Sequence, residues 1–281
     1  MSTVKKKIAF QGAPGANSDL ACRAVFPKFE TLPCLEFEDA FAAVRDGKAE
    51  LAMIPIENSV AGRVADVHHL LPEGGLHIIG EHYQPIVHHL LVVPGAKLSD
   101  IKRVESHVQA LAQCRKWLRQ KHIKPVVHVD TAGAAADVAD RDDRSVAAIA
   151  SELAGKIYGL KSLTHSISDH KENITRFIIL SKKPKMPPIG KACVTTLVFR
   201  VRSLPAALYK ALGGFAANGI NITKIESYLV DGHFSKAQFR LDVEAHPKEK
   251  PLKNALEELD FFADHVKILG VYPAHKFRVK G

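Results

Sequence analysis

Short apolar segments that lead into helical patterns recur through the first part of the chain, and this alternation constrains the fold most strongly. KIAFQ precedes GAPGANS and a helix, LAMIPI precedes ENS, VVHV precedes DTAGAA, and SVAAIA precedes SELAG. Short apolar runs bounded by turn residues are typical of buried strands. Strands that alternate with helices predict an α/β architecture with largely parallel sheets.

Hydroxyl or amide side chains lie at the positions where these predicted strands end and the following segments begin. They are Asn17, Ser18, Asn58, Ser59, Ser106, Thr131 and Ser151. N-capping explains each one singly, and Ser106 with Gln109 three residues later forms a capping-box signature. Together, at the carboxyl ends of parallel strands, such helix N-termini predict a cleft for a carboxylate-bearing ligand. GAPGANS lacks the Walker lysine and the GxGxxG spacing, so a nucleotide is not predicted.

The composition changes abruptly at SKKPKMPPIGKA, which predicts a stiff linker between two domains. Beyond it, the order strand, helix, strand, strand, helix, strand fills about eighty residues, with Asp231-Gly232 as a hairpin signal. The helix after the first of these strands carries an apolar stripe and ends at Gly219. This βαββαβ order predicts a ferredoxin-like sandwich.

Charge and cysteine content narrow the class of ligand. The net charge is +9, but the basic residues are spread and aromatic residues make up 7%, which favours an anionic small ligand over nucleic acid. The four cysteines show no CxxC spacing, the start shows no secretory signal, and no apolar run is long enough to span a membrane, so we expect a cytoplasmic protein. Adjacent histidines point apart, and no metal or cofactor is predicted.

The segment ENITRFIILSK places a hydroxyl and a guanidinium directly before a buried strand. The apolar run Phe177-Ile178-Ile179-Leu180 predicts the strand, and Thr175 and Arg176 precede it. Taken alone, the pair fits an ordinary strand entry, because Thr favours strands and Arg keeps its charge in water. Whether this pair has a catalytic role is therefore judged from the other motifs of the chain.

The whole chain resembles a prephenate dehydratase of the monofunctional bacterial type. The resemblance rests on FQGAPGANS, AMIPIENSVAGRV, SHVQALAQC, DTAGAA, AAIASELAGKIYGL, NITRF, SLPAALYKAL and NGINITKIES, with PIENS and NITRF about 115 residues apart. It implies a two-lobed catalytic region similar to periplasmic binding proteins, followed by an ACT regulatory domain. The implied bounds are 1–181 for the catalytic region (lobe one 1–83 and 166–181, lobe two 84–165), 182–192 for the linker and 193–281 for the ACT domain.

The resemblance also implies roles for particular side chains. Thr175 corresponds to the hydroxyl required for dehydration. The implied substrate-binding residues are Ser18, Asn58, Ser59, Gln109, Thr131, Arg176 and Phe177. Prephenate lacks a good leaving group, so a hydroxyl held at the departing oxygen suits the reaction. Arg176 is expected to orient the ligand or the loop, because a charge held on the departing carboxylate would oppose its loss.

Two further residues carry alternative interpretations. Glu57 could be a general acid if burial raised its pKa, or a carboxylate hydrogen-bonded to nearby amides. His107 could contact the ligand or lie at a helix surface. The chain also departs from the family pattern, since Gly15-Ala16-Asn17-Ser18-Asp19 stands where G-T-F-S-H is common.

The ACT resemblance implies feedback inhibition by L-phenylalanine at an inter-subunit site. The candidate residues are Leu208, Asn221, Glu226 and Ser227, while Tyr228-Leu229 replaces the usual Arg-Pro. An unpaired edge strand in a ferredoxin-like domain predicts a homodimer or homotetramer. The expected reaction is the conversion of prephenate to phenylpyruvate in phenylalanine biosynthesis. Arogenate dehydratase and a non-catalytic amino-acid sensor are the alternatives.

Overall fold

The computed structural model describes residues 5–202, 204–230 and 237–280, without the side chains of residues 279 and 280. The Asp231-Gly232 hairpin signal lies outside these residues. The strands are β1 Lys7–Gln11, β2 Glu30–Cys34, β3 Leu51–Asn58, β4 Gly62–Arg63, β5 His77–Pro85, β6 His89–Val92, β7 Arg103–His107, β8 Lys124–His128, β9 Val146–Ala150, β10 Lys161–Thr164, β11 Ile174–Ser181, β12 Cys193–Val201, β13 Ile222–Leu229, β14 Ala237–Val243 and β15 Ala263–Pro273. The α-helices are α1 Asn17–Val25, α2 Phe37–Arg45, α3 Ala65–Glu73, α4 Val108–Gln113, α5 Arg115–Gln120, α6 Thr131–Arg141, α7 Glu152–Tyr158, α8 Ala207–Ala217 and α9 Lys250–Phe262.

The chain divides into two compact units. The first contains the described residues up to Val64 together with His82–Phe177, and the second contains Ala65–Glu81 together with the described residues from Ile178 onward. Residues 182–192, all described, form neither helix nor strand. The domain bounds given above stay a prediction.

The first unit contains the predicted strand-to-helix repeats. β1 pairs in parallel with β2 and with β3, and the middle of β1 is fully buried at Ile8, Ala9 and Phe10. In the other sheet β7 pairs in parallel with β8 and β9, while β6 and β10 add antiparallel strands. Every residue of β9 is buried, as a strand covered on both faces requires. The predicted α/β architecture with parallel strands is confirmed.

Only part of the predicted capping pattern is correct in this unit. Ser151 caps α7 through a bond from Ala154 N to Ser151 Oγ, 3.0 Å long. The capping box at Ser106 is wrong, because its hydroxyl donates to the Ile149 carbonyl oxygen at 2.5 Å and His107 is the N-cap of α4. The N-cap of α6 is Asp130, the residue before Thr131. The predicted caps are therefore wrong at Ser106, whose hydroxyl bonds to a neighbouring strand, and at Thr131, where the preceding carboxylate is the cap.

Residues 193–273 of the second unit have the predicted βαββαβ order, and the unit also contains α3 and the first part of β5. Its antiparallel strands run in the spatial order β13, β14, β12, β15, and α8 and α9 cover one face. The buried apolar residues of this layer include Phe199, Phe215, Leu241 and Leu259. Each contributes about 1.5–3 kcal/mol by leaving water, which makes the helix-covered face the core of the unit.

Candidate active site

The carboxamide of Asn58 lies at the end of β3 and has a fixed orientation. Its Oδ1 accepts hydrogen bonds from Val60 N at 2.9 Å and from Ala61 N at 2.8 Å. Backbone N–H groups can only donate, so this end of the carboxamide must be the oxygen. The Nδ2 group therefore faces the opposite side, toward the start of β11.

Thr175 receives one of the hydrogen bonds from this amide. Asn58 Nδ2 lies 3.0 Å from Thr175 Oγ1, 2.7 Å from Asn173 Oδ1 and 3.3 Å from the Ile174 carbonyl oxygen. Because Thr175 Oγ1 is the acceptor, its own proton must point elsewhere. Among the described residues, none accepts a bond from this hydroxyl, so the proton is available to a ligand oxygen.

Ser59 adds two further bonds that hold the two segments together. Ser59 N donates to the Ile174 carbonyl oxygen at 2.9 Å, and Ile174 N donates to Ser59 Oγ at 3.0 Å. The PIENS and NITRF motifs are therefore neighbours in space. Since Ser59 Oγ is occupied by a backbone bond, the structure gives it a structural task; substrate binding by Ser59 stays a prediction.

Three residues that the sequence interpretation missed complete the network. Gln113 Oε1 lies 2.7 Å from His88 Nε2 and accepts from Asn173 Nδ2 at 2.9 Å, while Gln113 Nε2 donates to Asn58 Oδ1 at 3.4 Å. His88, Gln113 and Asn173 are all buried. A signal was present for Gln113, because it lies among Ala110, Leu111 and Cys114 on the apolar side of α4, where a polar residue needs a partner.

Glu57 and Arg176 form a separate ion pair next to this network. Arg176 Nη1 lies 2.9 Å from Glu57 Oε1, and only 4% of the Arg176 side chain is exposed. Successive strand residues point to opposite faces, so this pair faces away from Asn58 and Thr175. One carboxylate oxygen of Glu57 therefore faces a buried guanidinium. The general-acid role of Glu57 stays a prediction.

Burial lowers the pKa of two histidines, His88 of the network and His107 of the predicted ligand contacts. At His88 burial outweighs the bond to Gln113, which acts to raise the pKa. At His107 burial outweighs the Asp130 carboxylate, which also acts to raise the pKa. His107 Nδ1 accepts from Gln109 N at 3.3 Å, so this nitrogen carries no proton.

The remaining predicted residues occupy different environments. Ser18 is buried in the first turn of α1, and Thr131 is half-buried at the first residue of α6. The Gln109 side chain is exposed on α4, one turn before Gln113. Phe177 is buried within β11. The structure thus joins Asn58, Ser59 and Thr175 in one network, and substrate contacts of the others stay predictions.

The GAPGANS loop packs against the start of α7. Ser151 Oγ donates to the Gly15 carbonyl oxygen at 2.5 Å, and Tyr158 Oη donates to the Pro14 carbonyl oxygen at 3.0 Å. Gly15 has a φ of +88°, and a Cβ there would lie 2.7 Å from Ala154 Cα. Both the backbone conformation and the close approach require glycine at this position.

The second unit contains a pocket of about 640 Å³ at the start of α8. Leu208, Phe239, Arg200, Arg202 and Asp264 are among its lining residues. Asn221, Glu226 and Ser227 lie elsewhere on this unit: Asn221 Nδ2 donates to Glu244 Oε2 at 2.9 Å, and Glu226 pairs with Lys224. Of the predicted phenylalanine-binding residues, Leu208 lines this pocket.

Within the described part of the chain, no group of three or more His, Cys, Asp or Glu side chains could hold a metal ion. In the same residues, no helix has the length and apolar character needed to cross a membrane.

An α/β unit in which an amide donates to a threonine hydroxyl, together with a βαββαβ segment, suits a small-molecule enzyme with an appended domain. A profile described as prephenate dehydratase matches residues 8–185. The chain belongs to the prephenate dehydratase family, a family of hydro-lyases.

Full-length similarities support this assignment. The chain is 52% identical over 274 residues to a bifunctional N-acyl-homoserine lactone acylase/prephenate dehydratase of Komagataeibacter europaeus, covering 97% of this chain and 98% of the relative. It is 41% identical to arogenate dehydratase/prephenate dehydratase 1 of Arabidopsis thaliana, covering 96% and 72%. The crystal structure of a prephenate dehydratase from Arthrobacter aurescens in complex with L-phenylalanine superposes with a TM-score of 0.88 at 32% identity, covering 95% and 90%.

Proposed function

We propose that the chain catalyses the decarboxylating dehydration of prephenate to phenylpyruvate, with Thr175 as the hydrogen-bond donor to the leaving hydroxyl. The observation that carries this proposal is the bond from Asn58 Nδ2 to Thr175 Oγ1. This bond occupies an acceptor site of the hydroxyl and leaves its proton for the substrate. Hydrogen bonds in a chain polarise one another, so the Asn58 bond also strengthens Thr175 as a donor.

The electron flow of the reaction explains why a hydroxyl is sufficient. The bond between the ring and its carboxylate breaks and releases carbon dioxide. Its electron pair shifts through the ring double bond and expels the hydroxyl at the opposite carbon, so the ring becomes aromatic as the carbon–oxygen bond breaks. The departing hydroxide takes a proton through the Thr175 hydrogen bond and leaves as water, and solvent returns the proton to Thr175. Formation of the arene supplies the driving force, so a weak acid held at the leaving oxygen is enough.

Helix N-termini are proposed to bind the two carboxylates of prephenate. Ser18 lies in the first turn of α1 and Thr131 is the first residue of α6. The free N–H groups and the dipole of a helix N-terminus favour an anion. Asn58, Gln109, His107 and Phe177 are retained as proposed pocket residues. Arg176, paired with Glu57, is proposed to hold β11 in place rather than to bind the ligand.

L-phenylalanine is proposed as a feedback inhibitor that binds the second unit, an ACT domain in this proposal. The pocket near Leu208 combines apolar side chains with two arginines and Asp264, a combination suited to an apolar amino acid with a carboxylate and an ammonium group. The related Arthrobacter structure is a complex with this amino acid. We further propose a homodimer or homotetramer in the cytoplasm; Cys22, Cys34, Cys114 and Cys193 are all free thiols.

A direct assay tests this function. Purified full-length protein should convert prephenate to phenylpyruvate, and Thr175→Val should lower kcat by about 100-fold or more, the range expected for a positioned proton donor. Thr175→Ser keeps the hydroxyl and should retain most of the activity. An inactive wild-type protein, or a folded Thr175→Val variant with normal kcat, would contradict the proposal.

Arogenate dehydratase is a second candidate, favoured by the plant relative whose name includes it. The two substrates differ in the side chain, where arogenate carries an ammonium group and prephenate a keto group. Comparing kcat/KM on the two compounds decides between them. If L-phenylalanine binds but neither compound is converted, the protein is the amino-acid sensor instead.

The bacterial relative at 52% identity favours N-acyl-homoserine lactone acylase as an additional activity. Amide hydrolysis by Thr175 would need a base to take its proton. The described neighbour of its hydroxyl oxygen is the Asn58 amide, which is a donor. Dehydration therefore fits this site better. Acylase assays of the wild-type and Thr175→Val proteins would reveal whether the chain has this activity and whether it uses the same hydroxyl.

A further inference from the structure

His88 is a buried histidine next to the proposed catalytic network. It directly precedes β6, only 3% of it is exposed, and its Nε2 lies 2.7 Å from Gln113 Oε1. The imidazole does not contact Thr175 in this arrangement. Any influence on Thr175 must therefore pass through Gln113.

The hydrogen-bond directions can be assigned from fixed points. Val60 N and Ala61 N must donate, which fixes Asn58 Oδ1 as an acceptor. Gln113 must then present its Nε2 to Asn58 Oδ1, and so its Oε1 faces His88 and Asn173. An acceptor at 2.7 Å requires a proton on His88 Nε2. The structure therefore selects the Nε2–H tautomer of His88.

We propose that His88 is a positioning residue for the reaction: its Nε2–H group donates to Gln113 Oε1 and holds the Gln113 amide in the orientation that supports Asn58 and Asn173, and through them the Thr175 hydroxyl. A reversed Gln113 amide would place its oxygen against Asn58 Oδ1 and its NH₂ group against Asn173 Nδ2. Both contacts would be repulsive. His88 opposes this reversal, because its Nε2–H group would lose the Gln113 oxygen as its acceptor unless the ring also changed tautomer.

Reversal of the Gln113 amide would affect the Thr175 hydroxyl through two hydrogen-bond paths. Asn58 Oδ1 loses a donor if Gln113 reverses, and Asn173 loses the acceptor that holds its Nδ2. Asn173 Oδ1 accepts the shortest bond from Asn58 Nδ2, at 2.7 Å. Once Asn173 turns, Asn58 Nδ2 loses its shortest acceptor, and its bond to Thr175 Oγ1 is restrained by fewer contacts, among them the bonds to Oδ1 from Val60 N and Ala61 N. The inference rests on the proposed dehydratase function for its kinetic test.

His89 is a matched control for His88. It is the next residue and is also buried, but its Nδ1 contacts Ser162 and His165 instead of Gln113. His88→Leu removes the donor while keeping an apolar side chain of moderate size, and His88→Gln restores an N–H group on a flexible stem. His89→Leu makes the same change outside the network.

Kinetics of these variants on prephenate test the proposal. His88→Leu should lower kcat about 10- to 100-fold with little change in KM, His88→Gln should recover most of the loss, and His89→Leu should stay near wild type. In combination with Gln113→Leu, His88→Leu should add no further loss, because residues that act through one path are not additive. Additive losses, or normal kcat in His88→Leu, would overturn the role of His88.

A spectroscopic measurement separates this inference from the proposed function. The side-chain amide signal of Asn58 in a ¹⁵N–¹H spectrum, identified by its loss in Asn58→Asp, should shift in His88→Leu and return in His88→Gln. An unchanged signal in a folded His88→Leu protein would overturn the inference whatever the activity. An inactive wild-type protein with the expected shifts would contradict the proposed function alone.

Discussion

At the scale of single residues, the two ends of the Asn58 carboxamide have opposite tasks. Oδ1 closes the turn after β3, and Nδ2 donates toward Thr175. An aspartate at this position would keep the turn and replace the donor by an acceptor. The Thr175 proton would then be drawn to the carboxylate instead of the leaving hydroxyl.

Asn58→Asp is therefore expected to lower kcat on prephenate by about 100-fold or more, comparable to the loss of one well-placed hydrogen-bond donor at an active site. Steady-state kinetics at saturating substrate measure the effect. Asn254→Asp on α9 makes the same chemical change outside the site and should leave kcat near the wild-type value. A folded Asn58→Asp protein with normal kcat would contradict the directed-proton arrangement.

Some of these residues can be identified from sequence motifs, whereas others cannot, because their role depends on partners from other elements. Thr175 and Asn58 lie in short motifs whose order and separation are specific. His88 directly precedes β6 and Gln113 ends α4. The apolar neighbours of Gln113 indicate its burial, but the hydrogen-bond partners of both side chains come from other elements. Helical periodicity could not choose between Gln109 and Gln113, because it predicts which face is buried but not which polar side chain finds a partner there.

At the scale of elements, two adjacent glycines in α8 test how closely α8 and α9 pack. A Cβ on Gly213 would meet nothing within 4 Å, whereas a Cβ on Gly214 would lie 2.9 Å from Glu258 Cβ. Gly213→Ala should stabilise the protein by about 0.5–1 kcal/mol through helix propensity. Gly214→Ala should destabilise it by about 1–3 kcal/mol through overpacking.

Urea unfolding of both variants measures the contrast, and each glycine serves as the control for the other. Equal stabilisation by both substitutions would contradict the predicted overpacking, because it would show that Glu258 on α9 moves away from residue 214 without loss of stability. The sequence predicted both helices from their apolar stripes. It could not predict this close approach, because the position of Glu258 against Gly214 depends on how α9 is set against α8.

The contact between β7 and α6 provides a pH-dependent test. Arg141 donates from Nη1 to Glu105 Oε1 at 2.9 Å and from Nη2 to Glu105 Oε2. The Arg141 bonds lower the pKa of Glu105 from its ordinary value of 4.5, against the opposing effect of burial. The folded state therefore binds this proton less tightly than the unfolded state. The stabilisation is fully present above pH 4.5 and is lost as the pH falls through the lowered pKa.

Glu105→Gln should accordingly lower the free energy of unfolding by about 1–2 kcal/mol at pH 7, as expected for a charge-assisted bond. The difference from wild type should shrink as the pH falls below the ordinary glutamate range. Glu152→Gln removes an exposed ion pair with Lys156. It should not measurably change the free energy of unfolding, either at pH 7 or below the ordinary glutamate range. A Glu105→Gln effect that is constant with pH would contradict the ionic origin of the contact.

At the scale of the whole molecule, the proposed function requires two kinds of recognition in one chain. In the first unit Asn58 donates to the Thr175 hydroxyl, and the second contains a pocket with apolar, cationic and acidic lining residues. The sequence predicted the strand-to-helix repeats of the first unit and the βαββαβ order of residues 193–273. It did not predict the pocket, whose lining comes from β12, α8, β14 and the start of β15, because such a cavity depends on the spaces that side chains leave when these elements pack.

L-phenylalanine is expected to raise the thermal midpoint of the full chain and to inhibit prephenate turnover. A ligand at 100 times its Kd stabilises the folded state by about 2.7 kcal/mol. Leu208→Gln should weaken the inhibition about tenfold or more, since it replaces an apolar lining residue worth about 1.5–3 kcal/mol on burial. Phe261→Gln changes a residue that is 73% exposed on α9 and lies outside the pocket lining, so it should leave inhibition unchanged. Normal inhibition in a folded Leu208→Gln protein would locate the phenylalanine site elsewhere, with Asn221, Glu226 and Ser227 as the next residues to substitute.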